Sequence, residues 1–206
     1  MVESQVQTCD VTDRRLLRAM LELPRELFLP EVARALAYGG EGVNLGNRAL
    51  PAPVTTARLI QLAGLEPTDK VLEIGCATGY GTALLARLAG SVTGLDSDAA
   101  LTASAKANLA AAGVTNADIQ TGPLAAGLAA GAPYGVIMVS GAIPELPPAL
   151  RSQLREGGRL VAVIAEGPVA RAMLFERTGD GFGRRFGFDA AAPLLPGFAR
   201  KAVFAL

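Results

Sequence analysis

Val71-Leu72-Glu73-Ile74-Gly75-Cys76-Ala77-Thr78-Gly79-Tyr80-Gly81 decides the fold: a short apolar run holding one acid, a turn rich in glycine, then the start of a helical pattern. A strand that feeds such a turn lets a ligand approach the backbone closely, and the helix behind it offers free N–H groups. Residues 92–95 read as the next strand, Asp96 and Ser97 stand at its end, and a helix over 98–112 closes at Gly113. Asp96 is placed to accept the hydroxyl hydrogens of an adenosyl ribose.

Working outward, strands are expected at 117–120, 134–139 and 159–164, with helices over 80–88 and 148–154. Alternating strands and helices predict an α/β chain with a mostly parallel sheet covered on both faces. The tail changes to short alternating strands at 172–177, 184–188 and 201–204, joined by glycine-rich turns, which would add antiparallel strands at one edge. Toward the start, Asp10 reads as the N-cap of a helix with Asp13 at its third position, an inner face of Leu16, Leu17, Met20 and Leu21, and a stop at Pro24. A second short helix begins near Pro30, with Val32, Leu36 and Tyr38 as its face. A loop over 40–53 leads to a helix over 53–63 that ends at Gly64.

At 206 residues the length fits one domain. Nineteen basic and nineteen acidic residues cancel, so no global field draws the chain toward nucleic acid or an anionic membrane. Histidine is absent and there are two cysteines, which excludes a Ser-His-Asp triad, a Cys-His pair, a His-ligated metal and a four-cysteine zinc site. Cys9 and Cys76 are expected as reduced thiols. The polar opening residues and the lack of an apolar run of about 20 residues point to a cytoplasmic protein with no membrane span.

A dinucleotide fingerprint needs Gly-x-Gly-x-x-Gly, whereas the glycines here are Gly75, Gly79 and Gly81. Glu73, two residues before the first glycine, favours a ligand with a positive end. S-adenosylmethionine carries an ammonium and a sulfonium, and Glu-Ile-Gly-x-x-x-Gly resembles motif I of class I methyltransferases. Two other readings of the strand and turn stay open: that Glu73 closes a strand and Asp96 starts a turn, and that Gly81 is an ordinary helix residue.

The run Leu23-Pro24-Arg25-Glu26-Leu27-Phe28-Leu29-Pro30, then Ala37-Tyr38, the motif above and Gly157-Gly158-Arg159-Leu160-Val161 resemble the protein-L-isoaspartate O-methyltransferase family. Residues 5–13 and 188–198 resemble a divergent bacterial branch of it. The resemblance implies a Rossmann-like class I methyltransferase: a mostly parallel seven-stranded sheet, antiparallel C-terminal strands and an N-terminal helical cap. It divides one domain over 1–206 into a cap and substrate loop (1–52), a cofactor-binding core (53–165) and C-terminal strands (166–206). It also implies S-adenosylmethionine as cofactor, held by Glu73, Gly75, Cys76, Ala77, Gly79, Asp96, Ser97, Gly122 and Pro123, with no metal. The implied reaction is methyl transfer to the carboxylate of an isoaspartyl residue in a protein or peptide.

Such a carboxylate is ionised at pH 7, so no histidine base is needed. The family's substrate loop, Gly-Gln-Thr-Ile-Ser-Gln-Pro, corresponds to Gly46-Asn47-Arg48-Ala49-Leu50-Pro51-Ala52-Pro53, which has no hydroxyl. Arg48 is the charged group of that loop, either a partner for an acceptor carboxylate or a solvated side chain. Thr55 and Thr56 replace the missing hydroxyls only if the loop shifts. The family's Gly-Asp-Gly is Gly122-Pro123-Leu124 here, and Ala77 stands for the middle glycine of motif I, tolerable if its φ is negative. Two alternatives differ in kind: a non-catalytic module that binds S-adenosylmethionine or partners, and a methyltransferase for another carboxylate.

Overall fold

The computed structural model describes residues 1–166, 169–179 and 181–198. A small hairpin, β1 (Val43–Asn44) with β2 (Ala49–Leu50), precedes the main sheet. That sheet has seven strands: β3 (Lys70–Ile74), β4 (Ser91–Asp96), β5 (Ala117–Thr121), β6 (Tyr134–Ile143), β7 (Leu154–Ile164), β8 (Arg171–Thr178) and β9 (Gly181–Asp189). Their order is β5-β4-β3-β6-β7-β8-β9. From β5 to β7 all neighbours are parallel, and β8 and β9 extend the edge antiparallel. The α/β reading with a mostly parallel sheet and antiparallel C-terminal strands therefore holds. The strand order turns back between β3 and β6, which opens a crevice at their carboxyl ends.

Alternation along the strands builds two cores. Val71, Val136 and Met138 pack on one face with Leu16 and Met20 of α1 (Arg14–Glu22), Leu59 and Ile60 of α2 (Pro53–Ala63), Leu84 of α3 (Tyr80–Ala86) and Leu109 of α4 (Ala99–Ala111). Leu72, Ile74, Ile137 and Val139 face the other way, toward Leu150 of α5 (Pro148–Ser152) and Leu195. Glu73 has the parity of Val71, so its carboxylate points into the α3 side of the sheet.

The N-terminal cap differs from its sequence reading. Asp13, not Asp10, caps α1: its side chain accepts from the N–H groups of Arg15 and Leu16, while Asp10 sits in the left-handed region at φ 62°. The helix starts later because residues 2–6 and 7–9 form two short helical turns of their own. Leu21 is 65% exposed, since Ala19 takes the inner position instead. The segment after Pro30 is a 3₁₀ helix, Glu31–Leu36. Its inward residues are Ala33 and the following Ala37, and Val32 is 94% exposed, with Leu36 and Tyr38 also outward. Small alanines let that tight helix lie close to the body, which turns the larger side chains out.

The loop over 40–53 contains the hairpin, whose turn is closed by Leu45 N donating to Arg48 O at 2.8 Å, with Gly46 at φ 88°. β6 and β7 run longer than the 134–139 and 159–164 expected from the sequence, and their pairing passes through two register shifts. The strand expected at 201–204 and Asp180 of the turn before β9 lie outside the described residues. Among the described residues, no helix is long and apolar enough to cross a membrane.

Candidate functional site

Strand register assembles the site. Ile74 pairs with Leu95 on β4 and with Val139 on β6, so the next residues, Gly75, Asp96 and Ser140, stand level on three adjacent strands. The turn after β3 is pinned to β4: the N–H groups of Gly75 and Cys76 both donate to Leu95 O, at 2.8 and 3.2 Å. Gly79 N donates back to Cys76 O at 2.8 Å. Gly75 and Gly79 take positive φ, 79° and 92°, which glycine adopts without strain. Ala77 does so as well, at φ 48°, so the negative φ that would have made its methyl harmless is not found. Its N–H donates to Asp96 Oδ2 at 3.0 Å, and that bond fixes the conformation.

Glu73 is buried and held from two sides. Ser140 Oγ donates to Oε1 and Thr82 Oγ1 to Oε2, both at 2.5 Å. Burial pushes its carboxyl up to about 7, against the opposing pull of the two hydroxyls. Gly81 lies inside α3 rather than in the turn. A Cβ there would stand 2.1 Å from Glu73 Oε1, so this glycine makes room for the carboxylate. Burial, reinforced by the charges of Glu73 and Asp96, drives the Cys76 thiol well above its usual range, so it is no thiolate nucleophile.

Asp96 is fully buried and carries four donated hydrogen bonds. Two come from backbone, Ala77 N to Oδ2 and Asp98 N to Oδ1 at 3.1 Å. The other two come from Arg48, whose Nη2 reaches Oδ1 at 2.9 Å and Nε reaches Oδ2 at 3.3 Å. Arg48 Nη2 also donates to Ser97 Oγ at 2.7 Å, and Nη1 to Asn47 O at 3.1 Å. Arg48 is thus 7% exposed and ion-paired, and is not a solvated loop side chain.

Two spaces adjoin these groups. A cavity of about 10 Å³ lies among Glu73, Gly75, Ala77, Ser140, Thr56 and the covering loop residues Leu50 and Pro51. A pocket of about 730 Å³ opens beside it, lined by residues of the 40–55 segment including Arg48 and Thr55, by Ser140, and by the 191–195 segment. The two threonines therefore face the two spaces with α2 in place and without a loop shift. Gly122 joins the rim through its N–H, which donates to Asp96 O at 2.9 Å, and Pro123 beside it is exposed. The loop that carries Arg48 is moored by the buried Arg25, which donates to Pro51 O at 2.7 Å and stacks over the Tyr80 ring at 4.7 Å.

Ser140 and Thr82 were not singled out from the sequence. Ser140 had a signal: it is the polar residue within an otherwise apolar strand, at the level of the motif turn. Thr82 had none, since nothing in a helix start distinguishes a threonine that reaches back to the preceding strand. Two buried carboxylates, one holding an arginine, favour a cationic ligand and oppose a pyrophosphate. A turn that brings backbone close to a ligand, an acid for hydroxyls and an acid for a positive end fit S-adenosylmethionine. In the structure the Arg48 guanidinium takes the two Asp96 positions that the backbone donors leave.

Residues 1–185 match the family described as Protein-L-isoaspartate(D-aspartate) O-methyltransferase. Protein-L-isoaspartate O-methyltransferase 1 of Rhodopseudomonas palustris (strain HaA2) is 38% identical over 175 residues, which span 84% of this chain and 71% of that protein. A solved protein-L-isoaspartate O-methyltransferase superposes with a TM-score of 0.83 at 25% identity, over 96% of this chain and 67% of the other. A Plasmodium falciparum protein assigned to the same family, solved in complex with S-adenosyl-L-homocysteine, gives 0.80 at 20% identity, over 95% of this chain and 96% of that one.

Proposed function

The chain belongs to the protein-L-isoaspartate(D-aspartate) O-methyltransferase family, an S-adenosylmethionine-dependent methyltransferase fold, and from that membership we propose that it methylates the carboxylate of isoaspartyl residues in proteins or peptides. The observation that carries the reading is the register that sets Gly75, Asp96 and Ser140 level on three adjacent strands, with Gly75 lining the small cavity and Ser140 lining both that cavity and the pocket of about 730 Å³. In this reading Asp96 and Ser97 hold the ribose, and Glu73 receives the cationic amino-acid end. Gly75, Cys76, Ala77 and Gly79 supply the backbone path, and Gly122 and Pro123 flank the adenine. We assign residues 1–52 to the cap and acceptor loop, 53–165 to the cofactor core and 166–206 to the C-terminal part of one domain.

S-adenosylmethionine supplies a methyl group already activated on its sulfonium. The chain's work is to bind, align and exclude water, which is worth about 7 to 11 kcal/mol when reacting atoms are held in line. The acceptor carboxylate is ionised at pH 7, so no side chain has to remove a proton. That agrees with a chain that has no histidine and whose buried thiol stays protonated. Arg48, Thr55 and Thr56 are candidates among the polar residues lining the two spaces to face the acceptor.

The test is transfer of labelled methyl from S-adenosylmethionine to an isoaspartyl peptide, with the aspartyl isomer and a panel of small carboxylates alongside. The reading expects a base-labile label on the isoaspartyl peptide and none on its isomer. Label on a small carboxylate alone moves the activity to another acceptor, and label on none of them contradicts the reading.

A further inference from the structure

An ionised carboxylate has about four lone-pair positions. Asp96 has all four engaged, two by backbone N–H groups and two by Arg48. The backbone donors belong to the turn and the helix cap, and they cannot leave without undoing both. Arg48 can leave. It sits at the end of a hairpin turn held by two strand pairs, and its remaining bonds go to the exposed Ser97 and to its own neighbour Asn47. Arg48 is among the residues that line the larger pocket, and among the described lining residues it is the one cation. The same loop lays Leu50 and Pro51 over the cavity at Glu73, which has room for about one water. Arg48 on Asp96 and the two residues over Glu73 therefore belong to one loop.

Resting on the reading of the site given above, we propose that Arg48 has two positions. On Asp96 it closes the ribose subsite. When ribose hydroxyls take the Asp96 carboxylate, the guanidinium turns into the pocket and clamps the acceptor carboxylate. The loop hydroxyls that the sequence lacks are then replaced by a cation that becomes available only after the cofactor is seated. Binding is ordered, cofactor first and acceptor second, and a carboxylate that arrives early meets no free partner. A planar guanidinium suits both posts because it can bridge the two oxygens of either carboxylate.

The test is calorimetry with S-adenosylhomocysteine on the parent, Arg48→Ala and Arg48→Gln. Gln keeps a polar group against the buried Asp96 should Ala fail to fold. Removing the competing guanidinium should tighten S-adenosylhomocysteine at least tenfold in either variant, while KM for the carboxylate acceptor rises and kcat changes less. Arg48→Lys, which keeps the charge, should fall between. A residue that merely supported the loop would weaken the ligand or leave it unchanged on removal. Unchanged or weaker binding in the variants, with the parent binding normally, overturns the proposal and leaves the methyltransferase reading intact. No binding by parent or variants overturns both. The parent alone gives a second readout: phenylglyoxal should modify Arg48 faster when S-adenosylhomocysteine is present, and slower or unchanged modification counts against release.

Discussion

The Glu73 carboxylate and the Ser140 hydroxyl, 67 positions apart in the chain, meet at 2.5 Å across the paired strands β3 and β6. That contact joins the glycine turn to the wall of the larger pocket, since Ser140 lines both spaces. Among the described residues no cation pairs with this acid, which is held by hydroxyls, so its protonation answers to pH and to a positively charged ligand.

Glu73 should make stability fall as pH rises through neutrality. Burial holds its folded pKa at about 7, against about 4.3 in an unfolded chain. Between those values the folded protein keeps a proton that the unfolded chain has lost, so the contribution is complete below about pH 4.3 and disappears as pH passes 7. Compared with Glu73→Gln, the parent should lose on the order of 3 kcal/mol between pH 4.5 and 8 in urea unfolding. A difference between the two that stays flat with pH would show that Glu73 is ionised throughout.

Gly81→Ala should be destabilising although it lies in a helix, where alanine is usually better by about 1 kcal/mol. The added Cβ would fall 2.1 Å from a carboxylate oxygen held by two hydroxyls. A loss of about 1 to 3 kcal/mol is expected, together with weaker binding of S-adenosylhomocysteine. A variant more stable than the parent would mean that Glu73 moves aside freely.

Ala77→Gly should stabilise. A residue with a Cβ costs about 1 to 2 kcal/mol in the left-handed region, and the greater freedom of glycine when unfolded returns part of that. The net gain expected is about 0.5 to 1 kcal/mol, a rise of about 2 °C in Tm for a chain of this size. A lower Tm would show that the buried Ala77 methyl packs well enough to outweigh its φ of 48°.

The sheet was legible because its signals are local: Val71 to Ile74, then glycines, then a helix from Tyr80, and after the next strand a helix over 98–112, which the structure gives as Ala99–Ala111 with Asp98 as its cap. Asp96 at the end of β4 was legible for the same reason. The cap was less so. Asp10 and Asp13 are equivalent as N-cap residues, and only the packing of the preceding turns chose between them. Leu36 and Tyr38 face outward because the segment winds as 3₁₀ helix, and apolar periodicity does not register that choice. The partner of Arg48 lies 48 positions away on another element, and long-range ion pairs leave no trace in spacing. The reason for Gly81 was hidden too, since the glycine answers to the strand before it and not to a turn.

A crystal structure of the complex with S-adenosylhomocysteine tests the central claim most directly, because it shows what occupies Asp96. The account predicts ribose hydroxyls within hydrogen-bonding distance of both Asp96 oxygens, the amino-acid end beside Glu73, and the Arg48 guanidinium turned into the pocket lined by Ser140 and Thr55. The ligand seated away from the β3 and β4 ends, or bound there with Arg48 still paired to both Asp96 oxygens, would contradict it.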